Sequence, residues 1–207
     1  WGWEFLRDVA MGKDVSIGSR VAVVGGGNVA IDVALTARRL GASRIDLFCL
    51  ESREEMPAHP WEVRLATEEG VFINDQWAPK RVLGNEKVTG LGLMRCSSVL
   101  DKACNFNPVY DEEITHKIDA DTVILAVGQS SVLDFLNGDS GILCKGNRIA
   151  ADGDELVTSE TGVFAGGDVV SGPASIISAI AQGRKAAQSI DRFLGGSGDI
   201  SETLCQP

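Results

Sequence analysis

Three small residues stand at the spacing with which a protein backbone binds a diphosphate. Gly25, Gly27 and Ala30 form a GxGxxA motif, in which the first glycine permits a tight turn and the second lets a phosphate approach the backbone. The alanine lets the following helix pack closely on the preceding strand. Asn28 and Val29 begin that helix, whose positive end favours an anion. The motif predicts a dinucleotide site at these five residues, with a turn that only packs as the alternative.

Three residues after the next predicted strand bear on which dinucleotide binds. Glu51 lies 21 positions after Ala30, where a carboxylate can accept hydrogen bonds from both hydroxyl groups of an NAD ribose. Ser52 follows, and Arg53 offers a guanidinium that can pair with the 2′-phosphate of NADP. Because a carboxylate repels a 2′-phosphate, we expect NAD(H) to be favoured over NADP(H). An interpretation of Arg53 as a solvated loop charge stays open.

The elements that position these residues follow from the apolar pattern. Strands are predicted at 21–24, 45–50, 71–74 and 123–127, helices at 28–40 and 61–69, and an antiparallel excursion at 76–117. The pattern predicts an α/β protein: a Rossmann-like three-layer dinucleotide-binding domain with an antiparallel β excursion and helices on both sides of a mostly parallel sheet. Turns are expected at 84–86 and 105–108, a short helix at 132–136, a strand at 162–165 and a long helix at 173–194.

The C-terminal half carries a second nucleotide motif by resemblance. The segment GVFAGGDVVSGPASIISAIAQGRKAA resembles the flavin motif of flavoproteins with two dinucleotide-binding domains. The resemblance implies that the acidic residue binds the ribityl chain of FAD and that the next helix directs its N-terminus at the isoalloxazine ring. The flavin-contacting residues would be Gly167, Asp168, Ala174, Ser175 and Ile176. DTVILAVGQ resembles the crossover between the two domains, which implies that Gly128 and Gln129 lie near the nicotinamide.

Taken with REEMPAH, EEGV and NPVYDE, these segments occur in one order in one family. Over about residues 3–195 the chain resembles the glutamate synthase small (beta) subunit and its relatives, which include the flavoprotein segment of dihydropyrimidine dehydrogenase and electron-bifurcating ferredoxin:NADP oxidoreductases. The resemblance implies an enzyme that passes hydride from NAD(P)H to FAD and then electrons to iron–sulfur centres of a partner domain or large subunit. Relatives usually carry two arginines after the second strand, where this sequence has Glu51 and Ser52.

The resemblance also implies which parts of the family are missing here. The N-terminal FAD motif and the iron–sulfur region have no counterpart in the sequence, so we expect FAD binding in the full-length protein and an inactive fragment. The expected divisions are a lead-in helix and linker at 1–18, an NAD(P)-binding domain at 19–128, the C-terminal part of the FAD domain at 129–195 and a flexible tail at 196–207. The alternative from another class is a non-catalytic nucleotide-binding or assembly module of a redox complex.

No side chain suggests acid–base or metal chemistry, so we assign no catalytic residue and no metal site. Hydride transfer between stacked rings depends on proximity and orientation, not on a side-chain catalyst. His59 is expected to be a loop residue, with contact to the cofactor as the alternative.

Composition excludes several other classes of protein. The 207 residues carry 19 basic and 29 acidic side chains, a formal charge of −10, which argues against nucleic-acid binding. No apolar run approaches the roughly 20 residues that span a bilayer. Five cysteines without a CxxC pair and the absence of a targeting pattern predict a reducing, cytoplasmic location.

Overall fold

The computed structural model describes residues 1–136, 138 and 140–201. The chain divides into two compact units, Trp1–Gly128 and Gln129–Pro207. Of the tail expected at 196–207, residues 202–207 lie outside the described residues. Within the described ranges, no helix has the length and apolar character needed to cross a membrane.

The first unit is built around a parallel sheet. Its elements in chain order are α1 (Gly2–Ala10), β1 (Arg20–Val24), α2 (Asn28–Arg39), β2 (Arg44–Phe48), α3 (Pro60–Glu68), β3 (Val71–Asn74), β4 (Trp77–Leu83), β5 (Gly90–Leu100), β6 (Phe106–Asp119) and β7 (Thr122–Leu125). The four parallel strands have the order β3-β2-β1-β7, and β4, β5 and β6 form a separate antiparallel sheet. The predicted α/β class with its antiparallel excursion is therefore confirmed.

Both faces of the parallel sheet are buried, but by different layers. Val21 and Val23 of β1 pack with buried residues of α2 and α3. Ala22 and Val24 point to the opposite face and pack with Leu91 of β5. The prediction of helices on both sides was wrong for this unit, because the antiparallel sheet covers the second face. Successive side chains of a strand point to opposite faces, so a strand that is apolar throughout needs both faces covered. The pattern does not specify whether helices or a second sheet cover them.

The strand β7 differs from its prediction in position and burial. It ends at Leu125, two residues before the expected end at 127, and lies at the edge of the sheet. With β1 as its one neighbour in the parallel sheet, it has only Ile124 buried, and Val127 beyond its end is 61% exposed. The apolar run alone predicted a fully buried strand.

The second turn of the antiparallel sheet lies earlier than expected. The structure places it between β5 and β6, at 101–105, and not at 105–108. The carboxylate of Asp101 accepts hydrogen bonds from the amides of Ala103 and Asn105, at 2.8 and 2.9 Å. These bonds fix the turn before Phe106, where β6 begins.

The second unit contains little regular structure before its last helix. Its elements are β8 (Cys144–Lys145), β9 (Arg148–Ile149), α4 (Asp168–Ser171) and α5 (Ile176–Phe193). Of the helix expected at 132–136, a single turn forms, closed by the amide of Leu136 on the carbonyl of Leu133. The strand expected at 162–165 is reduced to an isolated bridge between Val157 and Phe164. A short apolar run predicts a helix or strand, but it does not show whether a neighbouring segment is present to pair or pack with it.

The helix α5 begins three residues after the predicted start at 173. Ser175 precedes it in extended conformation, and its hydroxyl oxygen accepts a hydrogen bond from the amide of Ser178 at 3.1 Å. This side-chain cap fixes the first turn. The helix therefore begins where a capping hydroxyl is available, after the proline at 173.

Candidate nucleotide-binding sites

Gly25 occupies a backbone conformation and a space that only glycine tolerates. Its φ is +140°, and a β-carbon there would collide with the carbonyl oxygen of Ala126, just beyond β7. Its amide donates to the carbonyl of Phe48 at the end of β2, at 2.8 Å. The turn after β1 is thus held closely between the ends of its two neighbouring strands, as the first glycine of the motif requires.

Gly27 faces open space. A β-carbon on this residue would meet no heavy atom within 4 Å, and the residue directly precedes α2 without a side chain to cap the first amides. Gly27 therefore leaves room at the positive end of a 12-residue helix, where backbone N–H groups can bind an anion such as a diphosphate.

The other motif residues divide between packing and contact with a loop. Ala30 is completely buried, as close helix–strand packing requires, whereas Val29 is 44% exposed. The side-chain oxygen of Asn28 accepts a hydrogen bond from the amide of His59 at 2.9 Å. Next to it, the carbonyl of Gly26 accepts from the amide of Ala58 at 3.0 Å. These two hydrogen bonds join the loop that follows β2 to the glycine turn and the start of α2.

Glu51, the predicted ribose-binding carboxylate, lies beside the glycine turn. One of its carboxylate oxygens is 2.7 Å from the position that a β-carbon of Gly26 would take, so the half-buried side chain lies directly against the glycine turn. Sequence reasoning missed Gly26, although it stands between the two motif glycines. Only the folded loop shows that a side chain at this position would displace Glu51.

Ser52 and Arg53 interact with parts of the protein other than Glu51. The hydroxyl of Ser52 donates to the carboxylate of Glu55 at 2.7 Å. The guanidinium of Arg53 donates to the hydroxyl of Thr67 in α3, at 3.0 Å. Ser52 is therefore bonded to Glu55, and Arg53, the candidate partner of a 2′-phosphate, is bonded to α3.

The thiol of Cys49, just before this loop, is buried. Burial, together with the nearby carboxylates of Glu51 and Asp75, raises the pKa of the Cys49 thiol to about 12. The thiol is therefore neutral at physiological pH, and only the thiolate is a nucleophile. In the part of the chain that the structure describes, no group of three or more histidine, cysteine or acidic side chains is arranged to hold a metal ion.

Two residues are expected near a nicotinamide: Gly128 is the last residue of the first unit, and Gln129 is the first residue of the second. Gly128 has a φ of +91°, and a β-carbon there would meet no heavy atom within 4 Å. Both residues are exposed.

The residues expected to contact a flavin form one loop system in the second unit. Gly167, with φ +76°, precedes α4, and its amide donates to the side-chain oxygen of Gln182 at 2.5 Å. The exposed carboxylate of Asp168 accepts from the amide of Ala174 at 3.3 Å. Ile176, the first residue of α5, is 79% exposed. The structure thus brings Asp168 close to the start of α5, as the motif implies.

Comparison with known proteins identifies relatives that share most of this chain. The family model for "Pyridine nucleotide-disulphide oxidoreductase" matches residues 4–183. The NADP(+)-dependent formate dehydrogenase subunit beta of Moorella thermoacetica is 40% identical over 93% of this chain and 28% of its own length. The NAD-dependent dihydropyrimidine dehydrogenase subunit PreT of Escherichia coli K12 is 34% identical over 94% of this chain and 42% of its own length.

The expected resemblance to glutamate synthase is confirmed as well. The glutamate synthase [NADPH] small chain of Escherichia coli K12 is 35% identical over 86% of this chain and 39% of its own length. The chain thus spans between about a quarter and under a half of the three relatives named here.

A solved structure shows the same fold at lower identity. Thioredoxin reductase of T. acidophilum superposes with a TM-score of 0.71 at 24% identity, over 92% of this chain and 55% of the other. Because the family model covers residues 4–183, well over half of the sequence, the chain belongs to the pyridine nucleotide-disulphide oxidoreductase family.

Proposed function

We propose that the first unit binds NAD(P)H and that the protein passes hydride from it to FAD. The observation that carries the proposal is the open face of Gly27 at the start of α2 with the carboxylate of Glu51 beside the same turn. Together they offer a site for a diphosphate and, next to it, an acceptor for ribose hydroxyls.

Within this function we propose that NAD(H) is favoured over NADP(H). Glu51 would repel a 2′-phosphate at close range, and the hydroxyl of Ser52 and the guanidinium of Arg53 already bond to other side chains. The names of the relatives do not decide the matter, because they include an NADP(+)-dependent formate dehydrogenase subunit and an NAD-dependent dihydropyrimidine dehydrogenase subunit.

The flavin site is proposed for the full-length protein. The exposed carboxylate of Asp168 and the exposed start of α5 suit the ribityl chain and the ring of FAD. When bound, FAD accepts a hydride and releases electrons singly. Here Gly167 and Asp168 would hold the cofactor, and Ala174, Ser175 and Ile176 would lie against its ring. An exposed apolar side chain at Ile176 suits burial by such a ring or by the rest of an FAD domain.

The electrons would then pass to iron–sulfur centres of a partner domain or large subunit. The support is that several relatives are named as subunits of larger oxidoreductases. A reducing, cytoplasmic setting is proposed from the cysteines, since the four in the described part, Cys49, Cys96, Cys104 and Cys144, are free thiols.

The test is a paired titration of the chain with NADH and NADPH, followed by nicotinamide fluorescence. We expect NADH to bind at least tenfold more tightly, a difference of ~1.4 kcal/mol. Glu51→Arg should reverse the order, and Glu54→Arg, which adds the same charge in the same loop, serves as the matched control. Tighter binding of NADPH by the unaltered chain would overturn the preference for NAD(H). Binding of neither nucleotide would overturn the proposed site in this chain.

A further inference from the structure

Asp75 follows β3, the edge strand of the parallel sheet, and residues of the candidate site follow the two neighbouring strands. The glycine turn follows β1, Cys49 and Glu51 follow β2, and Asp75 follows β3. The amide of Cys49 donates to the carbonyl of Asn74 at 3.2 Å, so Asp75 continues β3 beside the extension of β2. These positions form a row across the carboxyl ends of the strands, the edge at which open α/β sheets bind ligands.

The backbone links Asp75 directly to the proposed ribose carboxylate. The residue after it, Gln76, donates its amide to the carbonyl of Glu51 at 2.9 Å and accepts at its own carbonyl from the amide of Cys96, also at 2.9 Å. Gln76 has a φ of +60°, a conformation uncommon for residues with a β-carbon. Its side-chain oxygen accepts from Arg95, whose guanidinium lies over the ring of Trp77 at 5.4 Å. The segment beside Glu51 is therefore fixed by contacts on several sides.

The carboxylate of Asp75 remains available at this fixed position. The residue is half-buried, and among the described residues no side chain or amide forms a hydrogen bond or ion pair with its carboxylate. It lies close enough to the Cys49 thiol to act on it electrostatically, as does Glu51. An acceptor without a protein partner therefore lies just beyond the residue that would hold the ribose.

The spacing of the strands determines which part of a dinucleotide reaches Asp75. Neighbouring strands lie about 4.8 Å apart, so β3 is roughly 10 Å from β1. With the diphosphate at Gly27 and the ribose at Glu51, the next group in the same direction is the adenine base. Building on the proposed function, we infer that the Asp75 carboxylate accepts a hydrogen bond from the exocyclic amino group of adenine and makes the site selective for that base.

The chemistry of this bond gives a direct comparison between two nucleotides. Reduced nicotinamide hypoxanthine dinucleotide differs from NADH at the base, where a carbonyl oxygen replaces the amino group and the neighbouring N1 carries a hydrogen. At the position of the amino group two acceptors then face each other, and an acceptor that loses its donor in a partly buried site weakens binding. Asp75→Asn replaces one carboxylate oxygen with an amide that donates to that carbonyl.

The experiment measures dissociation constants for NADH and its hypoxanthine analogue with the unaltered chain, Asp75→Ala and Asp75→Asn. We expect the unaltered chain to bind NADH at least fivefold more tightly than the analogue. Asp75→Ala should bring the ratio close to one, chiefly by weakening NADH, and Asp75→Asn should shift it further toward the analogue. Asp14→Ala, at an exposed aspartate of the linker between α1 and β1, is the control and should leave the ratio unchanged.

The outcomes separate this inference from the proposed function. If NADH binds but the ratio is near one in the unaltered chain, or if Asp75→Ala weakens both nucleotides equally, the role of Asp75 in base selection is overturned while the nucleotide site stands. If neither nucleotide binds the unaltered chain, the proposed function itself fails. Circular dichroism of each variant shows whether a lost affinity reflects a lost fold.

Discussion

Alanine at Gly25 and alanine at Gly27 should have opposite consequences, although the two glycines stand two positions apart in one motif. At Gly25 a β-carbon would meet the backbone oxygen of Ala126, and the φ of +140° is itself unfavourable for any other residue. Strain of this kind costs about 1–3 kcal/mol, and the collision with backbone adds to it. We therefore expect Gly25→Ala to lower the free energy of unfolding by about 2–4 kcal/mol.

At Gly27 the same substitution meets no obstacle within the protein. The backbone there has φ −91° and ψ 175°, an extended conformation open to any residue, and no heavy atom lies within 4 Å of the new β-carbon. The free energy of unfolding should stay within about 0.5 kcal/mol of the unaltered value. The methyl group would instead occupy the space that a diphosphate needs, so NADH affinity should fall at least tenfold, or ~1.4 kcal/mol.

Urea unfolding followed by circular dichroism gives the stability of both variants, and NADH fluorescence titration gives the affinity of the folded Gly27→Ala protein. The reasoning would be refuted by a Gly27→Ala protein that binds NADH as tightly as the unaltered chain. It would also fail if Gly25→Ala proved as stable as Gly27→Ala, since the approach of Ala126 would then be absent in solution.

Three further predictions concern charge, reactivity and helix capping. Hydrogen bonds from Arg20 hold the pKa of Asp121 below its usual range. The unaltered chain should therefore be more stable than Asp121→Asn by a constant amount above about pH 4, and this difference should shrink as the pH falls through the lowered pKa. Urea unfolding at a series of pH values measures the difference. The buried Cys49 thiol, whose pKa is raised to about 12, should resist alkylation at pH 8 while exposed Cys104 reacts, as peptide mass spectrometry would show. Ser175→Ala should destabilise α5 by about 1 kcal/mol, with Ser175→Asp retaining most of the stability, both measured by hydrogen exchange of the first turn.

Each of these has a contrary result. A stability difference for Asp121→Asn that does not change between pH 6 and pH 3 would show that the bonds to Arg20 do not form in solution. Labelling of Cys49 and Cys104 at equal rates would show that the loop over Cys49 opens readily. Unchanged exchange in Ser175→Ala would mean that another group caps α5.

The sequence predicted most accurately the strand, turn and helix that carry a clear apolar pattern and a glycine motif. The apolar periodicity of α2 and the GxGxxA motif located β1, the turn and the helix within a residue or two, since Asn28–Arg39 was expected at 28–40. The helix expected at 132–136 did not form beyond one turn. A short apolar run cannot nucleate a helix by itself, because several residues must be fixed for the first hydrogen bond.

The candidate site was less predictable, because its contacts join segments that are distant in sequence. Glu51 could be identified from its position after β2, but its packing against Gly26 depends on the path of the intervening loop. The hydrogen bond between Asn28 and His59 spans 31 positions and has no motif. Asp75 could not be singled out either, since its inferred role depends on the strand order β3-β2-β1, which only the three-dimensional pairing defines.

The pairing of β1 with β7 has a consequence for synthesis of the chain. Val21–Val24 of β1 line up with Thr122–Leu125 of β7, so one edge of β1 has no partner until about a hundred more residues have left the ribosome. An unpaired apolar strand edge is a template for association with other chains, and pairing across such a separation is slow to form. Chains that end before residue 122 should therefore aggregate during expression, and chaperones that shield strand edges should matter most for this protein while it is being translated.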